Sequence, residues 1–228
     1  MNKSEEKSLL EYLTGFLTED KIELFQRILD NRTRYITVVL EDIYQPHNAS
    51  AVLRSCDGFG VQDVHIIENY NEFEVNNGVT IGAHKWLTLQ HHNTLNSNNS
   101  QRCMKFLREK GYRVVATTPH EHDYNLSDLP IDQKTALFFG AEKKGLTEEV
   151  LREADEFVKI PMYGFSESFN ISVSVAVTLY EVISRLRKTE INWHLNEKEK
   201  EELVLEWVRK SVRGSDLIEQ RFRNEASF

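Results

Sequence analysis

A chain of 228 residues sets 28 Lys and Arg against 36 Asp and Glu, a formal charge of −8, which excludes a protein that coats nucleic acid non-specifically through massed cations. Its two cysteines, Cys56 and Cys103, lie far apart and lack partners at metal-ligand spacing, so neither a disulfide framework nor a zinc site is implied. No apolar signal core opens the chain, and no run approaches the roughly 18 apolar residues of a membrane span; the expectation is a cytoplasmic protein with no membrane segment.

Residues 4–34 read as helical, with Ile22, Phe25, Ile28 and Leu29 at helical spacing and Arg27, Arg32 and Arg34 gathered near the end. The β-branched run 36–43 predicts a strand, which Pro46 breaks before Asn48 caps a helix over 48–58. On that helix Ala49, Val52, Leu53 and Cys56 make one apolar stripe, and Arg54 points away from it. Apolar runs at 63–68, 86–90, 112–119, 135–142 and 156–161 predict further strands, and 100–111 predicts a helix closed by Gly111. Strands alternating with helices specify an α/β domain with a mostly parallel sheet flanked by helices, whose ligands bind at strand carboxyl ends.

Residues 166–177, SESFNISVSVAV, alternate like a strand, but the alternation fails after Val177. A helical period puts Ile171, Val175, Leu179, Val182 and Leu186 on one apolar arc and Ser174, Thr178, Glu181 and Arg185 on a polar stripe. Ala176, Tyr180 and Ile183 widen the arc beyond what one sheet covers, which predicts a subunit interface or a second packed layer. Ser168 and Asn170 then stand at the helix entrance, where such residues cap and where free N–H groups attract ligands. The tail 197–223 predicts two last helices bearing Arg209, Lys210 and Arg213.

Neither a dinucleotide fingerprint nor a P-loop is present; GAEKKGLT has Leu146 where a P-loop carries the Lys after its second glycine. His91-His92 and His120-Glu121-His122 suggest metal only superficially, since adjacent side chains point apart, and no metal is expected. Taken singly, Arg54 reads as a solvated charge, Glu142 as a helix-start acid, and Ser168 or Asn170 as a cap.

Taken together and in order, NASAVLRSCDGFG (48–60), FFGAEKKGL (138–146) and IPMYGFSESFNISVSVAVTLYE (160–181) resemble the SpoU family of RNA ribose 2′-O-methyltransferases, in its TrmH branch acting on tRNA. GAHKWL (82–87) and EWVRKSVRGSDLIEQRF (206–222) extend the likeness over nearly the whole chain. The resemblance implies a SPOUT-type α/β domain (36–190) with a deep C-terminal trefoil knot, helical extensions at 1–35 and 191–228, and a homodimer formed through the helix after the third motif. It implies S-adenosylmethionine as cofactor, held near Thr117, Gly140, Ile160, Met162 and Phe169, and 2′-O-methylation of a ribose in tRNA, a D-loop guanosine by family analogy. Asn48, Arg54, Glu142, Ser168 and Asn170 fall on the family's catalytic positions, and Arg27, Arg32, Arg34, Arg209, Lys210 and Arg213 are the expected RNA contacts. Phe169 and Ser174 depart from the common leucine and alanine. Methylation of ribosomal RNA and a non-catalytic RNA-binding role on the same fold stand as alternatives.

Overall fold

The computed structural model describes residues 3–120 and 123–225, which fall into two compact units, Met1–Arg32 with His194–Phe228, and Thr33–Trp193. The helix expected over 4–34 is two, α1 (Lys3–Thr14) and α2 (Glu19–Leu29). Gly15 and the extended backbone of Thr18, at the N-cap position of α2, interrupt it.

The larger unit runs β1 (Ile36–Glu41), α3 (Pro46–Phe59), β2 (Asp63–Ile67), α4 (Asn77–Thr80), β3 (Thr88–His92), α5 (Asn99–Glu109), β4 (Arg113–Thr117), β5 (Tyr124–Asn125), β6 (Thr135–Phe139), α6 (Glu148–Glu153), β7 (Glu156–Lys159) and α7 (Ile171–Leu186). All pairings are parallel, in the order β3-β2-β1-β6-β4-β7-β5. Every residue of β1, β2 and β6 is buried, as expected of strands covered on both faces. Alternation divides β1 between two cores: Val38 and Leu40 pack with α3 and α7 through Val52, Leu53, Val175 and Leu179, whereas Val39 packs with α5 and α6 through Met104, Leu107 and Val150.

The sequence expectation differs at three places. Two-residue β5 escaped notice because it is too short to show a period. The strand expected at 86–90 lies at Thr88–His92, since Trp86 closes a 3₁₀ turn. Helix α3 begins at Pro46, with Gln45 at its N-cap, so Asn48 does not cap it but lies inside the first turn. Proline tolerates that start because its φ is preset and its missing N–H would have had no helical partner.

The predicted helix at 171–187 forms as α7, and Asn170 is its N-cap, its side-chain oxygen accepting the Ser172 N–H. In the smaller unit α1 and α2 meet α8 (Glu197–Ser211) and α9 (Ser215–Glu225). Phe25 packs edge-on against Trp207 at 5.5 Å, and Tyr12 meets Phe222 at 5.2 Å. Among the described residues no helix is long and apolar enough to cross a membrane.

Candidate active site

Three segments remote in sequence converge on one carboxylate. Glu142, in the turn after β6, accepts on Oε1 from the side-chain amides of Asn48 at 2.9 Å and Asn170 at 2.5 Å. Asn170 also donates to Asn48 Oδ1 at 3.1 Å, closing a triangle. The second hydrogen of Asn48 Nδ2 and the oxygen of Asn170 are equally committed. Asn48 donates to Gln45 Oε1 at 2.7 Å, and Asn170 Oδ1 accepts from Ser172 N and Oγ at 2.8 and 2.6 Å. Asn48 is buried while Glu142 and Asn170 are exposed, so the triangle is anchored from beneath and open above. An amide oriented by two neighbours offers its remaining valences in fixed directions, as a preorganised polar site requires.

The turn that carries Glu142 is closed on itself. Gly145 N–H donates to Ala141 O at 2.7 Å, with Gly145 at φ 69°. A Cβ added to Gly140 would lie 2.1 Å from the carbonyl carbon of Gly145. Gly140 is therefore needed for that close approach of backbone to backbone.

Beside the triangle, at the carboxyl ends of β4, β6 and β7, lie two adjoining cavities. Thr117, Ser168 and Phe169 line both; Ile160 and Met162 line the first, Gly140 and Glu142 the second. The five residues expected at the cofactor and two of the expected catalytic residues, Glu142 and Ser168, thus border one concave region. The first cavity opens between apolar Leu126, Val158 and Ile160 and polar Ser168 and Ser174, the combination of apolar wall and a few placed polar groups that small-molecule sites use. Thr178, 1% exposed and on the same wall, has a hydroxyl with no hydrogen-bond partner among the described residues. An apolar slot with a few hydroxyls and one orphaned polar atom suits a flat purine with a polar tail. Thr117 lines both cavities while its hydroxyl hydrogen ties β4 to β6 through Phe138 O at 2.7 Å.

Arg54 is exposed on α3, six residues beyond Asn48, and among the described residues has no hydrogen bond or ion pair. The rise of about 1.5 Å per residue separates the two by roughly 9 Å along the axis, so Arg54 is not gathered into the triangle. Residues 35–180 match the SpoU rRNA Methylase family. The chain belongs to the SpoU family. It is 43% identical over 207 residues to a Borreliella burgdorferi tRNA (guanosine(18)-2′-O)-methyltransferase, covering 91% of this chain and 93% of that one. It is 34% identical to the Thermus thermophilus protein of the same name, over 85% of this chain and 98% of that one. The Aquifex aeolicus TrmH/SpoU tRNA modifying enzyme superposes with a TM-score of 0.76 at 26% identity, over 86% and 98% of the two chains.

Within this SpoU chain the six cations expected at RNA are unequal. Arg27 and Arg213 are exposed. Arg32 is 2% exposed, its guanidinium 5.5 Å from the Trp207 ring, and a side chain so enclosed cannot reach a phosphate without leaving its pocket. Arg34 pairs with Asp63 at 3.1 Å, Arg209 with Glu219 at 2.6 Å, and Lys210 with Glu206. Sequence spacing showed the basic clusters but not the acids that the fold brings to them.

One polar cluster was missed in the sequence because its members come from three elements. His65 of β2 stacks on His92 of β3 with ring nitrogens 3.0 Å apart, and Cys103 of α5 completes a group whose ligand atoms lie within 4.8 Å of one another. His91 turns the other way, to Glu68 at 2.8 Å, as strand alternation requires. Burial, with His92 adding to it, lowers His65 from 6.5 to about 3; burial raises the Cys103 thiol. Both are neutral at pH 7 and the imidazoles satisfy each other. Glu121 and His122 of the other histidine motif lie outside the described residues.

Proposed function

We propose that the protein transfers a methyl group from S-adenosylmethionine to the ribose 2′-hydroxyl of a guanosine in tRNA, guanosine 18 by likeness to its relatives. The observation that carries the proposal is the Asn48–Glu142–Asn170 triangle beside the two adjoining cavities, on a chain 43% identical nearly end to end to a protein of that name.

The donor supplies an already activated methyl on a sulfonium, so the protein's task is to position a weakly acidic hydroxyl in line with it. Thr117, Gly140, Ile160, Met162 and Phe169 would hold the donor, with Ser168 at the junction of the two cavities. Glu142 fixes both amides, and Asn48 and Asn170 orient the ribose. A guanidinium offers hydrogen-bond donors and no acceptor, so Arg54 donates to the adjacent phosphate or to the oxygen as it gains charge.

The homodimer belongs to the same proposal. Val173, Val177 and Tyr180 are 42, 37 and 64% exposed and recur at helical spacing down the outer face of α7, an apolar stripe that a second copy would cover. Phe59 at the end of α3 meets Tyr180 edge-on at 6.4 Å, so that face continues onto the helix bearing Arg54, and a second copy would enclose the arginine. The trefoil knot is also proposed; the insertion of β6 between β1 and β4 in the sheet order supports it.

Incubating the purified protein with methyl-labelled S-adenosylmethionine and either tRNA or ribosomal RNA tests the reading. Label is expected in tRNA alone; label in ribosomal RNA alone overturns the substrate, and label in neither overturns the activity.

A further inference from the structure

The carboxyl end of β1 presents two adjacent carboxylates, Glu41 and Asp42, which strand alternation sends to opposite sides. Each holds a loop. Asp42, at φ 53°, accepts the backbone N–H groups of Asn69 and Tyr70 at 2.9 and 2.8 Å. Glu41 is 1% exposed; its Oε2 accepts the Thr147 N–H and its Oε1 the Thr147 hydroxyl, both at 2.8 Å, and Oε1 also accepts the hydroxyl of Ser100 on α5.

Thr147 is where the Glu142 turn ends and α6 begins, as the N-cap of that helix. The turn is thus fixed at one end by the last residues of β6 and at the other by a carboxylate inside the core. Between them the Gly140 and Gly145 contact leaves little slack. Burial raises the Glu41 carboxyl, the Ser100 and Thr147 donors pull it down, and Asp42 pushes it up again; no cation contributes. A buried carboxylate with donors but no counter-charge is costly to desolvate. A helix N-cap alone does not require it, because Thr147 already accepts the Val150 N–H at 3.4 Å.

We infer that Glu41 is a positioning residue for the transfer reaction: through Thr147 it sets the height of the Gly140–Leu146 turn, and so places Glu142 where Asn48 and Asn170 meet it. This rests on the role proposed above for Glu142, and Glu41 itself touches neither ribose nor donor.

Six variants, assayed well below their unfolding temperatures, test the inference. Glu41→Gln and Thr147→Val should each lower kcat on the order of tenfold or more, as small displacements of an aligned site do, with KM for tRNA within about twofold. The double variant should be no worse than the poorer single, since both act on one linkage. Thr147→Ser, which keeps both bonds to Glu41, should restore turnover. Ser100→Ala removes a bond to the same carboxylate without touching the turn; it should lower Tm and leave kcat unchanged. Amide exchange at Gly145 should quicken in Glu41→Gln and not in Ser100→Ala. The inference is overturned if Glu41→Gln loses stability yet turns over normally, or if Ser100→Ala lowers kcat equally. Should Glu41→Gln fail to fold, the Thr147→Val and Thr147→Ser pair decides alone. Glu142→Gln separates the two claims: an inactive Glu142→Gln with an active Glu41→Gln sinks only the inference, whereas an active Glu142→Gln sinks the reading of Glu142 as well.

Discussion

Asn170 is both the cap of a helix and a corner of the polar triangle, and two substitutions separate the roles. Its Oδ1 accepts the Ser172 N–H at 2.8 Å, while its Nδ2 donates to Glu142 at 2.5 Å and Asn48 at 3.1 Å. Serine at this position retains the cap and lacks the donors; alanine lacks both. Loss of a cap costs about 1 kcal/mol, which lowers Tm by roughly 2–4 °C in a domain of this size. Loss of a hydrogen bond to a charged group costs about 1.5–3 kcal/mol, equivalent to roughly 10–150-fold in rate if the bond is needed in the transition state. Asn170→Ala is therefore expected to lose both stability and activity, and Asn170→Ser to regain the melting temperature while staying slow. Calorimetry and single-turnover methyl transfer on the same samples supply both values. If Asn170→Ser recovers turnover along with stability, Asn170 is only a cap and its place in the site is refuted.

Arg54→Ala should reduce methyl transfer on the order of 100-fold or more, the scale for removing a donor to developing charge, and leave S-adenosylmethionine affinity by calorimetry unchanged; lost affinity would place Arg54 at the cofactor. Replacing Val173 and Val177 together with Glu should convert a dimer into a monomer of 26.6 kDa by light scattering; an unchanged mass removes α7 from the interface. Arg27→Ala and Arg213→Ala should each weaken tRNA binding and reduce its log–log salt slope by about 1, as for loss of one phosphate contact, whereas an unchanged slope shows that the residue meets no phosphate. The neutral His65 favours folding at pH 7. Its folded value of about 3 lies below the ordinary 6.5, so that stability is present above pH 6.5 and is lost as pH falls towards 3. By pH 5 protonation of the unfolded state alone costs about 2 kcal/mol; urea titrations at both pH values should show that loss in the natural protein and a smaller one in His65→Phe.

The larger unit was legible in the sequence because parallel strands buried on both faces must be apolar runs, as β1, β2, β4 and β6 are; the less buried β3 and β7 gave weaker runs, and β5, two residues long, has too little chain to show a period. Helix α7 was legible once alternation failed past Val177, but not its orientation. Val173 and Val177 face outward and Thr178 is buried against the cavity, because the helix closes a cavity as well as a core. Each corner of the triangle has an ordinary local reading as helix-turn amide, exposed acid or cap, so nothing local could bring Asn48, Glu142 and Asn170 together across 122 residues of chain; the family motifs did. Glu41 drew no notice in sequence because a single acid ending a strand carries no pattern, and its meaning lies in Thr147, 106 residues away.

The most direct measurement is methyl acceptance by two tRNA transcripts identical except for a 2′-deoxyguanosine at position 18, with the product mapped by mass spectrometry. One methyl at guanosine 18 of the first transcript and none on the second is the expected result. Equal labelling of the two, or a methyl on the base, contradicts ribose methylation at that site.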